Sequence, residues 1–211
     1  MSTLMVLFII LTIVMLSMLI WRTCSNYYKL PCPSWLAWMV EHDNPFNTVT
    51  RATTIVNHLD INVGMTVVDI GCGPGRITIP LAQRVGPSGT VVAMDIQAGM
   101  LDKVKEKART AHMNNITFLQ AGIGKGKLKP NHFDRALFVS VLGEIPNRQT
   151  ALKEIFNALK PGGMLSITET IFDPHFKSRN SVLKLAMETG FKEKQFFGNR
   201  LAYTLNFEKP I

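Results

Sequence analysis

A glycine-rich turn that follows a short apolar strand is the feature that most constrains this chain. Val67 to Gly75 reads VVDIGCGPG, and a helical stretch begins at Arg76. Glycines allow the backbone to turn tightly and let a ligand approach the main chain. A dinucleotide fingerprint needs a third glycine at the position of Arg76, and the Asp69 carboxylate would repel a pyrophosphate. The turn therefore predicts a ligand with a cationic amino-acid group.

A second acidic residue extends this prediction. The next apolar run, Val91 to Met94, ends in Asp95, 20 residues after Gly75. A carboxylate at the end of the second strand can accept hydrogen bonds from both hydroxyls of a ribose. Together the two strands, the turn and the acid predict an adenosine-containing ligand. A nicotinamide-dependent oxidoreductase is the alternative, and Arg76 and Asp69 disfavour it.

The chain after residue 45 alternates short runs rich in Val, Ile and Phe with helical stretches, which predicts an α/β fold with helices around a mostly parallel sheet. The predicted strands are Thr66 to Ile70, Thr90 to Asp95, Ile116 to Gln120, Phe133 to Ser140, Met164 to Glu169, Lys192 to Phe197 and Leu201 to Phe207. The predicted helices are Asn47 to Leu59, Arg76 to Val85, Ala98 to His112, Arg148 to Leu159 and Ser178 to Thr189. Gly198 to Arg200 is too short for a crossover, so the last two strands should form an antiparallel hairpin.

From Asn47 to Phe207 the sequence resembles the class I S-adenosylmethionine-dependent methyltransferases, which have a Rossmann-like sheet. The resemblance rests on VVDIGCGPG at 67–75, VVAMDI at 91–96, ITFLQAGI at 116–123, FDRALFVSVLGEIP at 133–146 and LKPGGMLSITE at 159–169. It implies S-adenosylmethionine as the cofactor, and its binding residues would be Asp69, Gly71, Cys72, Gly73, Gly75, Asp95, Ile96, Gly122, Ile123 and Ser140. Many relatives have an aspartate at the position of Gly122, so one hydrogen bond to adenine, worth about 1 kcal/mol, is lost here.

Two glutamates are the candidate catalytic residues. Methyl transfer needs mainly orientation and desolvation, but a phenol, an enol or a protonated amine also needs a base. Glu144 and Glu169 occupy the carboxyl ends of the fourth and fifth strands, where acceptors bind in such sheets. The alternatives are that Glu144 caps the next helix and that Glu169 is a solvated strand end.

Three histidines are weaker candidates. His132 precedes a strand on the wrong edge of the sheet and is expected in a surface loop. His42 lies just before the first helix of the domain, which in the family closes over the cofactor. The segment Asp173-Pro174-His175 either lines the acceptor entrance or forms a routine turn. The three cysteines form no metal-binding pattern, so we expect no metal ion.

The N-terminus contains an uncharged apolar run of 18 residues, Leu4 to Trp21, which is long enough to cross a bilayer as a helix. A cleaved signal peptide is the alternative, but the basic segment expected before the run is missing. Arg22, Lys29 and Arg51 follow the run and predict an N-out, C-in, single-pass topology with a cytoplasmic catalytic domain. The expected parts are an anchor at 1–22, a linker at 23–44 and a methyltransferase domain at 45–211.

The linker is aromatic and the whole chain is basic. We expect Ser34 to Val40 to form an interfacial helix with Ser34 as its N-cap, placing Trp35 and Trp38 among lipid headgroups. The alternative is that both tryptophans dock the linker onto the domain. Cys24 and Cys32 are candidates for acylation. The net charge of +8 suits an anionic membrane surface, and we do not expect a nucleic-acid partner because no stacking platform is evident.

These features together predict a membrane-anchored S-adenosylmethionine-dependent methyltransferase. Its acceptor is expected to be a lipophilic small molecule or lipid, and the resemblance to quinone-biosynthesis methyltransferases is diffuse. A protein or RNA acceptor remains open, as does a non-catalytic membrane-tethered module that keeps the fold.

Overall fold

A seven-stranded sheet forms the centre of the computed structural model, which describes residues 2–28, 31–44 and 47–211. The strands are β1 Thr66–Ile70, β2 Thr90–Asp95, β3 Ile116–Gln120, β4 Phe133–Val139, β5 Leu159–Thr170, β6 Lys192–Gly198 and β7 Ala202–Glu208. Their spatial order is β3-β2-β1-β4-β5-β7-β6. The first five strands are parallel, and β7 is antiparallel to both β5 and β6. The predicted α/β class and the C-terminal hairpin are confirmed.

The helices are α1 Thr3–Tyr28, α2 Ala37–Glu41, α3 Ala52–His58, α4 Thr78–Val85, α5 Ala98–Thr110, α6 Arg148–Ala158 and α7 Arg179–Thr189. Those from α3 onward cover the two faces of the sheet. Two apolar clusters fill the layers between helices and sheet, one with α3, α4 and α5 and the other with α6 and α7. Because the order reverses between β1 and β4, the carboxyl ends of these strands open the crevice in which such folds bind ligands.

The predicted boundaries differ from the structure in a few places. The α3 helix begins at Ala52 instead of Asn47, and β5 begins at Leu159 instead of Met164. The added residues of β5 begin with Leu159, which pairs with Phe133, and the register of the two strands shifts between Phe133 and Arg135. Lys29, used to predict topology, and Pro45, the expected start of the domain, lie outside the described residues.

The α1 helix is apolar and exposed along most of its length. The stretch Thr3–Ser25 has a mean hydropathy of 2.9 and is long enough to cross a membrane. A signal sequence meets the same criteria of length and composition. Only the last turns of the helix contact the domain, and Ser25 is fully buried there.

Candidate active site

The glycine turn is held against the end of β2 by main-chain hydrogen bonds. The N–H groups of Gly71 and Cys72 both donate to the carbonyl of Met94, over 2.8 and 3.1 Å. Gly71, Gly73 and Gly75 have φ angles of 67°, 52° and 86°, which residues with a side chain rarely adopt. At Gly73, a Cβ would have open space among the described residues. The turn is therefore a rigid cradle with room above it.

Asp95 connects this cradle to the next loop. Its Oδ2 accepts a hydrogen bond from Gly73 N at 3.0 Å, and its Oδ1 accepts one from Gln97 N at 2.9 Å. Burial raises the pKa of the Asp95 carboxyl. Each carboxylate oxygen retains a second lone pair, so Asp95 can still accept hydrogen bonds from ligand hydroxyls.

Asp69 lies beneath the turn, at the end of β1. Its Oδ2 accepts a hydrogen bond from the Thr78 hydroxyl at 2.6 Å, which links the strand to the first turn of α4. Burial raises its pKa to about 6, against the opposing effect of the Thr78 hydrogen bond. A cation above the turn would favour the ionised form of this carboxyl.

The other walls of the crevice come from the ends of β2, β3 and β4. Ile96 is exposed there, and its Cγ2 lies 3.5 Å from where a Cβ on Gly122 would be. Ile123 is half-buried beside the core. At the end of β4, Ser140 has a φ of 56°, and strained backbone of this kind is frequent at functional sites. The next residue, Val141, covers Gly71 so closely that a Cβ would lie 2.6 Å from its methyl carbon.

Four carboxyl groups meet at this edge of the sheet. Glu144 follows β4, and burial raises its pKa to about 8 with further contributions from Asp173, Asp95 and Glu169, in that order. Burial also raises the pKa of Asp173. Groups of like charge in a partly desolvated crevice resist ionisation together. The crevice is consequently suited to a cationic ligand.

The two candidate catalytic glutamates have different surroundings. Glu169 is 1% exposed, its Oε2 accepts a hydrogen bond from Lys177 N at 2.9 Å, and its Oε1 has no hydrogen-bond partner among the described residues. Burial raises its pKa to about 8. Glu144 is partly exposed, and the cap of α6 is Asn147, whose Oδ1 accepts from Thr150 N. The capping alternative for Glu144 is therefore wrong.

The linker after α1 packs onto the domain beside the crevice. The Gln97 side chain donates to Cys32 O at 2.8 Å and accepts from Ser34 N at 3.1 Å. The predicted N-cap at Ser34 is wrong, because Ser34 is the first residue of a short 3-10 helix whose cap is Pro33. Trp35 and Trp38 are 75% and 65% exposed. This part of the linker is therefore docked by the hydrogen bonds between the Gln97 side chain and the linker backbone, and not by the two indoles.

The three candidate histidines occupy different places. His132 is exposed before β4, as expected. His42 lines an open groove of about 770 Å³ between α2 and α5, on the outer side of the glycine turn. His175 is buried between α1 and Glu144. The sequence indicated His175 only within the segment Asp173-Pro174-His175, as part of the acceptor entrance or of a turn, and it did not indicate Gln97 or Thr78, which carry no motif.

The residues of the crevice fit the S-adenosylmethionine that the sequence resemblance implies. Its methionine part carries a sulfonium and an ammonium group, and the carboxyl cluster with raised pKa values offers compensating charge. The open space at Gly73 admits a ligand to the main chain, and Asp95 retains lone pairs for hydroxyl groups. A Cβ on Gly122 would be in ordinary contact with Ile96, so these two residues are neighbours at the ends of β2 and β3.

Comparisons with known proteins agree with this geometry. Residues 61–205 match a family model described as a methyltransferase domain. The demethylmenaquinone methyltransferase of Lactococcus lactis subsp. lactis is 33% identical over 156 residues, which cover 69% of this chain and 62% of that protein. Its counterpart from Staphylococcus haemolyticus is 35% identical over 116 residues, 55% of this chain and 48% of that protein. The chain thus spans about half to three fifths of the length of these relatives.

A solved structure shares the fold. The crystal structure of a SAM-dependent methyltransferase from Aquifex aeolicus matches with a TM-score of 0.75 and 19% identity, covering 84% of this chain and 99% of that one. The family match extends over more than half of the sequence and includes the glycine turn, Asp95 and Glu144. This chain therefore belongs to the class I S-adenosylmethionine-dependent methyltransferases.

Proposed function

We propose that this protein is a membrane-anchored methyltransferase that acts on a lipophilic acceptor of the quinone type. One observation carries the proposal: the apolar helix α1 ends against the acceptor side of the crevice. Arg22 Nη1 donates to Ile171 O at 3.0 Å, and Ser25 contacts His175. Tethering at this point would confine the enzyme near a membrane-dissolved substrate and raise its effective concentration.

The name of the relatives supports the acceptor class. The bacterial proteins at 33% to 35% identity are demethylmenaquinone methyltransferases, so the acceptor would be a quinone ring with an apolar tail. Ile171 and Phe172, beside Arg22, are exposed apolar residues at this end of the sheet. They offer such a molecule a nonpolar approach.

The residues of the chain divide the work of methyl transfer. S-adenosylmethionine would supply a methyl group activated by its bond to a sulfonium, and in-line attack on the methyl carbon would break that S–C bond and release S-adenosylhomocysteine. Gly71, Gly73 and Gly75 would hold the methionine part, with Asp69 beneath them, and Asp95 the ribose. These contacts position the donor, while burial of the crevice excludes water from the reacting groups.

Glu144 is the proposed proton acceptor. A hydroxylated ring becomes a better nucleophile when it loses a proton, and the best base has a pKa near the working pH. The pKa of Glu144, about 8, satisfies this condition, and its side chain is partly exposed to the crevice. Glu169 is fully buried and bonded to Lys177 N, so its proposed role is to hold the loop after β5.

The proposed arrangement in the membrane uses the linker as well. Residues 4–21 would cross the bilayer with the N-terminus outside, and the parts at 1–22, 23–44 and 45–211 would be anchor, linker and catalytic domain. The exposed Trp35 and Trp38 would lie in the headgroup layer, with Lys125, Lys127 and Lys129 near anionic lipids.

The test uses the full-length protein in nanodiscs. Titration calorimetry with S-adenosylhomocysteine measures cofactor binding, for which we expect a micromolar Kd. Radiolabelled S-adenosylmethionine is then supplied with reduced demethylmenaquinone, with a phosphatidylethanolamine or with bulk protein and RNA. Label in the quinone alone supports the proposal. Label in another acceptor, or cofactor binding without transfer to any of them, contradicts the acceptor class.

A further inference from the structure

His175 is a buried titratable residue to which the proposed function assigns no role. It is 2% exposed and lies in the loop between β5 and α7. Its Nε2 is 2.8 Å from the Ser25 hydroxyl and 2.9 Å from the Ser25 carbonyl oxygen, across 150 residues of sequence. Both oxygen atoms belong to Ser25, in the last turns of the apolar helix α1. His175 is therefore one of the residues through which α1 contacts the loops of the candidate active site.

The carbonyl contact favours one tautomer of the ring. A carbonyl oxygen can only accept a hydrogen bond, so the 2.9 Å contact with Ser25 O is satisfied when Nε2 carries a hydrogen, whereas the Ser25 hydroxyl can serve either tautomer. In the neutral imidazole, Nδ1 then has a free lone pair. Nδ1 is buried, lacks a hydrogen-bond partner within the described chain, and lies 3.6 Å from Glu144 Oε1 and 3.7 Å from Asp173 Oδ1.

The backbone holds His175 at this distance from Glu144. Asp173 Oδ1 accepts a hydrogen bond from His175 N at 2.6 Å, which closes a tight turn. The loop after β4 is pressed against the same turn, because a Cβ on Gly143 would lie 2.0 Å from His175 O. Arg148 fixes that loop by donating to the carbonyls of Leu142 and Gly143. Glu144 and His175 thus lie on two loops that cannot move apart freely.

We propose that His175 is a positioning residue for Glu144 and that the anchor helix, through Ser25, fixes it as the tautomer with the proton on Nε2. The free Nδ1 lone pair then faces Glu144 and favours the protonated form of its carboxyl group, so the carboxylate is a stronger base when it takes a proton from the acceptor. The anchor is on this view a part of the active site in addition to a tether. The inference rests on the proposed function for the identity of the acceptor, but not for the tautomer.

Several charged groups surround the imidazole and enter any pH dependence. Glu144 comes from the loop after β4, and Asp173 and Lys177 come from the loop after β5. Arg22 of α1 opposes the rise in the pKa of Asp173, and Glu144 and Asp173 add to the burial that raises the pKa of the Cys32 thiol in the linker. The pH profile of a His175 variant is therefore compared with those of variants of these acidic neighbours.

The first test is spectroscopic and needs no acceptor. Full-length protein with ¹⁵N-labelled histidine is studied by NMR in micelles at pH 7.5, and the signal of His175 is assigned by its loss in His175→Gln. We expect a protonated Nε2 and an unprotonated Nδ1. A proton on Nδ1, alone or in an imidazolium, overturns the proposal.

The second test uses matched substitutions with the quinone assay. His175→Gln keeps a donor near the place of Nε2 but removes the Nδ1 lone pair that favours protonated Glu144, so we expect kcat to fall about tenfold and the acidic limb of the kcat profile to move to lower pH. Ser25→Ala should lower kcat about threefold, whereas Thr23→Ala, an exposed hydroxyl bonded within α1, should not. An unchanged pH profile in His175→Gln, or equal effects of the two α1 substitutions, contradicts the proposal.

The two failures can be told apart. The Kd of S-adenosylhomocysteine should stay within twofold in all of these variants, because none of the altered side chains touches the glycine turn. If wild-type protein does not methylate the quinone, the proposed acceptor is wrong, and the NMR result alone decides the role of His175.

Discussion

The two halves of the crevice are built in different ways. The cofactor half, from Gly71 to Asp95, uses residues close in sequence, which main-chain hydrogen bonds and the Asp95 carboxylate hold together. The acceptor half joins residues far apart in sequence, such as Ser25 with His175 and Arg22 with Ile171. A site made of backbone geometry tolerates change in its surroundings, whereas one made of distant side-chain contacts depends on each of them.

The largest effect is expected from Glu144→Gln in the acceptor half. Removing a general base typically costs about 100-fold in rate or more. We expect kcat on the quinone acceptor to fall by about that factor while the Kd of S-adenosylhomocysteine stays near normal. Steady-state kinetics combined with calorimetry measures both. A weakened Kd with normal kcat would move Glu144 into the cofactor half.

Asp95→Ala tests the cofactor half. The substitution removes the proposed ribose contact and also frees the N–H groups of Gly73 and Gln97. We expect the affinity for S-adenosylhomocysteine to fall at least about tenfold, as loss of a charge-assisted hydrogen bond predicts. Asp102→Ala, an exposed carboxylate on α5, is the control. Equal affinity of wild type and Asp95→Ala would refute the ribose assignment.

Stability should depend on pH because the crevice holds carboxyl groups of raised pKa. Glu144 and Glu169 have pKa values of about 8 in the folded chain, against an ordinary 4.5. The folded state then binds more protons, so the free energy of unfolding decreases as pH rises from about 5 to 8. We expect Tm to be about 5 °C lower at pH 8.5 than at pH 5.5.

Calorimetric scans of wild type and Glu144→Gln measure this dependence. The variant should lose part of the slope, and Asp134, whose pKa is lowered, does not titrate in this window. S-adenosylmethionine should raise Tm more at pH 8.5 than at pH 5.5, because its positive charges favour ionised carboxylates. A Tm that increases from pH 5.5 to 8.5 would contradict the acidic cluster.

The smallest effect concerns the linker that borders both halves. Gln97→Ala removes two hydrogen bonds to the backbone at Cys32 and Ser34. Burial raises the pKa of the Cys32 thiol. In a Cys24→Ala background, we expect this thiol to react with iodoacetamide about threefold faster in the Gln97→Ala variant than with Gln97 present. Mass spectrometry follows the labelling, and Gln120→Ala is the control. An unchanged rate would show that other contacts hold the linker.

The sequence predicted the cofactor half far better than the acceptor half. The bounds of β1, β2 and β3 agree with the prediction at both ends, because their β-branched runs and the glycine turn are local signals. The predicted N-cap at Ser34 was wrong, because Ser34 is already the first residue of the 3-10 helix and donates its N–H to Gln97, a partner that no local pattern reveals. The contact between Ser25 and His175 has no sequence signal either, because it depends on how α1 meets the loop after β5.

The length of α1 has a consequence for substrate choice. Ser25 follows Trp21, the end of the apolar run, by four residues, or about 6 Å of helix. With α1 across a bilayer, that rise is similar to the thickness of one headgroup layer. The length of the helix would then hold the crevice at the headgroup surface of the cytoplasmic leaflet. There a quinone ring could enter the crevice while its hydrocarbon tail stayed in the bilayer. Selection would depend on the ring, and homologues with short and long tails would be used equally well.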